Sequence, residues 1–320
     1  MKVLANDGIS QSGIDALIAG GFEVITVKVA QEQLANYINE NNISVLLVRS
    51  ATTARKDLID ACPSLKIIGR GGVGMDNIDV TYAREKGLHV INTPAASSAS
   101  VAELVFAHLF SGVRFLHDSN RNMPLEGDSR FKELKKAYAD GSELRGKTLG
   151  IIGIGRIGCE VAKIALGCGM KVIASDSYVN EANVKLDFYD GQSVSFTLKS
   201  RPLVEVLKQS DFITLHVPAQ KEYVIGKAEI SMMKDGAAII NAARGGVVDE
   251  VALIEALEGK KLSFAGLDTF ESEPVPALKV LMNPSISMSP HIGAATNEAQ
   301  DRIGTELASQ IISILKPASE

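Results

Sequence analysis

Residues 147–176, KTLGIIGIGRIGCEVAKIALGCGMKVIASD, leave this chain few folds to choose from. An apolar run from Leu149 to Ile152 stops at Gly153, glycines recur at Gly155 and Gly158, and a helical pattern follows. A second apolar run, Val172-Ile173-Ala174, ends at Asp176. The pattern reads strand, glycine turn, helix, strand, with an acid at the tip of the second strand. Each residue has a physical task in a dinucleotide site. Gly153 permits the tight turn, Gly155 lets backbone approach a pyrophosphate, and Gly158 lets helix and strand pack closely. The helix start offers unpaired N–H groups and a positive dipole end to the phosphates. Asp176 falls about 20 residues past the last glycine, where a ribose-binding carboxylate belongs. A carboxylate accepts from ribose hydroxyls and repels a 2′-phosphate, so NAD is expected over NADP. Ser175, Ser177 and Tyr178 bring no arginine to reverse that preference.

The rest of the chain repeats the same rhythm. Before residue 95, strand patterns at 2–5, 23–27, 45–48, 66–68 and 89–91 alternate with helical ones at 12–19, 31–39, 56–61 and 81–85. A second series follows, with strands at 148–152, 171–174, 212–215, 237–240, 263–267 and 285–288. Such alternation builds parallel sheets covered by helices. The expected fold class is α/β: two doubly wound parallel-sheet domains, a Rossmann-type cofactor domain and a flavodoxin-like substrate domain. A closing helix at 297–315 has no strand of its own domain to cover, so it should return to the first domain. The expected domains are therefore 1–94 with 295–320, and 95–294.

Residues 98–115 should form a helix apolar on most faces, which should be buried, for example against another subunit. The polar arm after it has little periodicity, and the segment 97–144 is suited to wrapping a partner. Asp190-Gly191 between β-prone flanks predicts a hairpin within 187–198. The formal net charge of −5 and the lack of a basic stripe argue against nucleic-acid binding. No apolar run approaches a membrane span. The start MKVLANDGIS has no apolar signal core. Cys62, Cys159 and Cys168 are scattered, with no metal spacing, which points to a reducing cytoplasm and no metal.

Three segments place polar residues just past buried strands. Ile239-Ile240-Asn241-Ala242-Ala243-Arg244 supplies an arginine, Gly266-Leu267-Asp268 through Glu271 and Glu273-Pro274 supplies acids, and Ser289-Pro290-His291-Ile292-Gly293 supplies a histidine. Ligands bind at that carboxyl edge in open α/β folds. An arginine there can grip a carboxylate or carbonyl oxygen in a fork. A histidine can move the proton of a hydroxyl while a hydride passes to or from the nicotinamide. A glutamate can fix the imidazole's orientation and stabilise its protonated form.

Over essentially its whole length the sequence resembles the D-isomer-specific 2-hydroxyacid dehydrogenases. The carrying segments are the glycine-loop region above, SDFITLHVPA, MKDGAAIINAARGGVVDEVALIEAL, GLDTFESEP and SPHIGAATNEA. The resemblance implies that Arg244, Glu273 and His291 are the catalytic trio, with Glu273 preferred to Glu271 because the family's acid directly precedes the proline. It implies that Arg156, Ile157 and Asp176 hold the pyrophosphate and adenosine ribose, and that Val217 and Pro218 line the adenosine half. Ala242, Asp268 and Gly293 then match the nicotinamide end. It further implies a cleft that closes and a homodimer built on the central helix and arm. The family also contains transcriptional corepressors, so a dinucleotide-sensing binding protein is the alternative from another class.

A phosphorylated 2-hydroxy acid needs cations in the first domain. Arg49 follows the strand at 45–48, and Arg70 follows the one at 66–68 and opens the loop Gly71-Gly72-Val73-Gly74. Both match arginines in relatives that take a phosphorylated substrate. Ser50, Val73, Gly74 and Asn77 complete the expected substrate set, the loop giving backbone N–H groups to a carboxylate. The chain ends after the closing helix, so a C-terminal regulatory domain is not expected. Unphosphorylated acids such as glyoxylate or hydroxypyruvate remain the alternative substrates.

Overall fold

The computed structural model describes residues 1–315, which form two compact units: Met1–Ser100 with the chain from Ala294, and Val101–Gly293. The last five residues of the expected 295–320 segment lie outside the described residues.

In the first unit β1 (Lys2–Ala5), α1 (Gln11–Ala19), β2 (Glu23–Ile25), α2 (Leu34–Glu40), β3 (Ile43–Val48), α3 (Lys56–Ala61), β4 (Ile67–Arg70), α4 (Val80–Glu85) and β5 (His89–Asn92) alternate. The strands pair in parallel in the order β2-β1-β3-β4-β5. That is the flavodoxin-like doubly wound order. Val45, Leu46, Leu47 and Val48 are all buried, as a strand covered on both faces must be. Alternate side chains serve opposite layers. Leu4, Leu46 and Ile68 pack with α2 and α3, while Val3, Val45, Leu47 and Ile67 pack with Leu17 of α1 and with Ile303, Leu307 and Ile311 of the final helix, Asn297–Leu315.

The second unit opens with α5 (Ser98–Val113), α6 (Leu116–Glu126) and α7 (Phe131–Ala137). Then follow β6 (Thr148–Ile152), α8 (Arg156–Gly167), β7 (Lys171–Ser175), β8 (Glu181–Asp187), β9 (Ser193–Lys199), α9 (Leu203–Gln209), β10 (Phe212–Leu215), α10 (Lys227–Met232), β11 (Ala237–Asn241), α11 (Glu250–Glu258), β12 (Leu262–Leu267), α12 (Leu278–Leu281) and β13 (Ile286–Met288). Its main sheet runs β13-β12-β11-β10-β6-β7, all parallel, winding out to both sides from the first strand, β6. This is the Rossmann-type arrangement.

Three local readings change. The helix expected over 98–115 stops at Val113, because Phe115 adopts a left-handed conformation (φ 54°) and turns the chain into α6. Val101, Val105, Phe106 and Leu109 of α5 are buried in this unit's own core beside Leu149 and Ile151. The polar arm is helical, not irregular. Its helices are held by pairs at helical spacing, Arg130 with Glu126 and Glu133, and by the Tyr138 hydroxyl, which donates to Asp118 Oδ2 at 2.7 Å. The hairpin forms around Asp190-Gly191, but its strands are longer than the expected flanks, seven residues each. Ala182, Val184, Leu186 and Leu198 share one face and pack onto the core near α8. An isolated parallel bridge from Ala174 to Ser200 seats the hairpin against the edge strand β7. Among the described residues no single helix is long and apolar enough to cross a membrane.

Candidate active site at the carboxyl edge of the second sheet

The register places the predicted residues of this unit in a row. Ser175, Ile152, Leu215, Asn241, Leu267 and Met288 stand abreast at the ends of six parallel strands. The next residue on each strand is Asp176, Gly153, His216, Ala242, Asp268 and Ser289. One edge of one sheet thus carries the glycine loop, the acid, and the three loops that hold Arg244, Glu273 and His291.

The glycine loop has the shape its sequence requires. Gly153 adopts φ 95°, and a Cβ there would stand 2.5 Å from the His216 carbonyl oxygen. A Cβ on Gly158 would collide with the Gly153 carbonyl, so the first turn of α8 sits directly on the loop. Gly155 differs: a Cβ there would meet nothing within 4 Å. The loop therefore keeps open space beside backbone N–H groups at a helix start, which fits a pyrophosphate. Arg156 is exposed on the first turn of α8, and Ile157 packs on the core beneath it. Asp176 is tied to this loop, its Oδ2 accepting from Ile154 N at 2.8 Å and its Oδ1 from Tyr178 N and Val179 N at 2.8 and 2.9 Å. Burial alone would raise its pKa, but these three N–H groups hold it below the usual carboxylate value. Ionised, it suits ribose hydroxyls. Val217 is half-buried and Pro218 exposed on the loop after β10.

His291 and Glu273 form a pair, with Nδ1 2.8 Å from Oε2. The other oxygen, Oε1, accepts from Phe270 N at 3.0 Å, so the carboxylate is fixed by its own loop. His291 stands at φ 55°, a left-handed conformation unusual for a side chain with a Cβ. The chain beyond it is pinned by Asp268, whose Oδ1 accepts from Ile292 N and whose Oδ2 accepts from Gly293 N, both at 2.8 Å. Asp268 is buried, and its oxygens shape the histidine loop. Arg244 Nη1 donates to the Ala243 carbonyl at 2.7 Å. Its loop is stapled by Asn241, which donates to the Arg244 carbonyl at 2.8 Å and accepts from Ala243 N at 3.0 Å. Ala242 is buried inside that staple.

In the first unit, Asp7 accepts from Arg49 N and Thr52 N at 2.6 and 3.0 Å. Asn77 Nδ2 donates to the Arg49 and Thr52 carbonyls at 2.7 and 2.6 Å, so its amide braces the Arg49 loop. Ser50 is exposed on that loop. Arg70 folds over its own glycine loop, donating to the Gly71 carbonyl, and a Cβ on Gly72 would collide with its guanidinium. Val73 is exposed, its carbonyl accepting from Asn92 Nδ2 at 2.7 Å, and Gly74 follows half-buried.

Sequence reasoning missed three groups. Asn241 is a polar residue ending an otherwise apolar buried strand, which is a readable signal. His216 lies beside Gly153 with Nδ1 buried and unpartnered, and burial pushes its pKa down to about 3, so it stays neutral. Glu250 and Glu271 exchange reciprocal bonds, each backbone N donating to the other's carboxylate at 3.0 and 2.8 Å. Among the described residues no His, Cys, Asp or Glu cluster could hold a metal ion.

A doubly wound sheet with a dinucleotide loop after its first strand, and a histidine–carboxylate pair past neighbouring strands, defines a nicotinamide-dependent oxidoreductase. Residues 106–293 match the family model described as "D-isomer specific 2-hydroxyacid dehydrogenase, NAD binding domain", and the chain belongs to that family. It is 42% identical over 316 residues to a hydroxypyruvate reductase of Thermotoga maritima, covering 97% of each chain. It is 38% identical over 318 residues to a D-3-phosphoglycerate dehydrogenase of Bacillus subtilis, covering 98% of this chain but 57% of that one. Among solved structures, a glyoxylate reductase from Paecilomyes thermophila superposes with a TM-score of 0.82 at 28% identity, covering 99% of this chain and 96% of that one.

Proposed function

We propose that this D-2-hydroxyacid dehydrogenase oxidises 3-phospho-D-glycerate to 3-phosphohydroxypyruvate with NAD, the opening step of serine synthesis, working in the cytoplasm as a homodimer. The His291–Glu273 pair on the dinucleotide-binding edge carries the chemistry of this reading. NAD, held by the glycine loop Gly153–Gly158 and Asp176, would supply the acceptor for the C2 hydride. A carboxylate only accepts, so Nδ1 of His291 bears the proton that faces Glu273, and Nε2 is left with the lone pair. Nε2 is then the base that removes the C2 hydroxyl proton, and Glu273 stabilises the imidazolium that results. Arg244 holds the substrate carboxylate and the developing carbonyl oxygen. Arg49 and Arg70, on loops braced by Asp7, Asn77 and the Gly71 carbonyl, supply cations for the phosphate, which makes the first unit the substrate domain. Phe110, Leu116, Leu125 and Phe131 expose apolar surface on α5–α7 and support a dimer built there. The free thiols Cys62, Cys159 and Cys168 support a reducing compartment.

A second reading, hydroxypyruvate or glyoxylate reduction, is favoured by the end-to-end match to the Thermotoga maritima protein. A panel of 3-phosphoglycerate, phosphohydroxypyruvate, hydroxypyruvate and glyoxylate with NAD(H) and NADP(H) separates the two. The phosphorylated pair should give the highest kcat/KM. Turnover of only the unphosphorylated acids overturns the substrate while leaving the enzyme class, and NADH binding without turnover points to a sensing protein.

A further inference from the structure

His108, on α5, is almost fully buried, and both of its nitrogens are engaged. Nδ1 lies 2.8 Å from Ser287 Oγ and Nε2 lies 3.0 Å from Ser289 Oγ. The two serines are two residues apart on β13 and its exit, so they point to the same face of the sheet, toward α5. Gly266 on the neighbouring strand makes room, since a Cβ there would stand 2.7 Å from His108 Cβ.

The direction of every proton in this chain follows from its far end. Asp268 is an acceptor, so the Ser289 hydroxyl donates to Oδ1, at 2.6 Å. Ser289 must then accept from His108, which puts the ring proton on Nε2. Nδ1 is left as an acceptor, and the Ser287 hydroxyl donates to it. Burial lowers the His108 pKa, which agrees with a neutral ring holding one tautomer. The polarised chain ends on the carboxylate that pins Ile292 N and Gly293 N, the two residues after His291. His291 itself is held at φ 55°, a backbone state that persists for such a residue only when its surroundings fix it.

We propose that neutral His108 is a positioning residue for His291, acting through Ser289 and Asp268 to hold the left-handed turn that aims the imidazole at Glu273. The proposal rests on His291 being the acid–base group. His108 contributes no proton to the reaction. It orients Ser289, Ser289 orients Asp268, and Asp268 fixes the loop that carries His291.

The test compares His108→Phe, Ser289→Ala, His108→Gln and His291→Ala in the full chain. His108→Phe and Ser289→Ala should each lower kcat about tenfold or more, the size expected when a catalytic group is slightly misplaced. NADH affinity, read by fluorescence, should change far less than kcat, because the glycine loop and Asp176 lie on other strands. The primary isotope effect with C2-deuterated substrate should rise, because hydride transfer becomes slower relative to product release. His108→Gln keeps a side-chain N–H for Ser289 and should recover most of the lost rate. If His108→Phe fails to fold, judged by circular dichroism, Ser289→Ala decides alone, since it removes one hydroxyl and no bulk. Wild-type kcat and isotope effect in the folded His108 and Ser289 variants, with His291→Ala inactive, overturn the proposal. An active His291→Ala overturns the assignment of the acid–base group instead.

Discussion

Nδ1 of His291 lies 2.8 Å from Oε2 of Glu273, and Glu273 is in turn held by the backbone of Phe270 through its other oxygen. The pair joins the loops that leave two adjacent strands, β12 and β13, whose ends are level at Leu267 and Met288. Both side chains remain partly exposed, so the contact orients the ring more than it stabilises the fold.

That geometry separates two variants. His291→Ala should lower kcat by about 10²–10⁴-fold, the usual worth of a positioned acid–base group. It should leave NADH binding intact, because the glycine loop lies on other strands. Glu273→Gln keeps an acceptor but removes the counter-charge of the imidazolium. With the ring less firmly oriented and its charged form unsupported, kcat should fall about tenfold or more in both directions. Steady-state kinetics of both directions check this, and a wild-type kcat argues against Glu273 as the partner.

Two separable contributions are expected of Asp176. Its carboxylate serves three backbone N–H groups and also suits the ribose hydroxyls. Asp176→Ala should raise KM for NADH and reduce the preference for NADH over NADPH, measured as the ratio of the two kcat/KM values. It should also lower Tm at neutral pH. The folded-state pKa lies below the unfolded 3.8, so this stability is present above that value and lost as pH falls through the folded one. The Tm gap between wild type and variant should therefore narrow in acid. An unchanged cofactor ratio removes the ribose role.

The parts of the fold that could be read from the sequence are those that local chemistry determines. Gly153 and Gly158 announced a tight turn and a close helix–strand contact where a Cβ does not fit, and the apolar runs before Gly153 and Asp176 set two adjacent strands. The edge occupied by Arg244, Glu273 and His291 was legible because each follows a buried strand. What stayed hidden depends on tertiary pairing. Nothing local to Ser287, Ser289 or His108 shows that a helix some 180 residues earlier faces that strand exit. The helices of the arm were hidden for another reason. They are polar, α6 contains Pro124 and buries no residue, and their support comes from ion pairs and Tyr138.

In the proposed reading, substrate choice rests on the first unit. The loop under Arg49 is held by Asp7 and Asn77 through backbone atoms, so Arg49→Ala should delete a cation without collapsing the loop. Losing one charge-assisted contact to a phosphate costs about 1.5–3 kcal/mol, which is roughly 10- to 150-fold in kcat/KM. That loss is expected with 3-phosphoglycerate and phosphohydroxypyruvate, with little change for hydroxypyruvate. Equal losses on both substrate types point to a bracing role for Arg49.

Glu250 sits at the first turn of α11, 7% exposed, and trades backbone bonds with Glu271. Burial is the main force raising its pKa above 4.5; the bond from Glu271 N opposes the shift, and the nearby charges of Glu271 and Glu273 add to it. The folded state therefore favours the protonated acid. Its stabilising contribution is complete below 4.5 and is lost as pH rises through the folded-state value. Deprotonating Glu250 places a buried negative charge beside the carboxylates of Glu271 and Glu273. Glu250→Gln keeps the carbonyl that accepts from Glu271 N and resembles the protonated acid. It should raise Tm at pH 7 and leave Tm near the wild-type value close to pH 4. Differential scanning calorimetry across that range decides the matter. A lower Tm for the variant at pH 7 means that the charge on Glu250 is stabilised by the helix start more than it is penalised by burial.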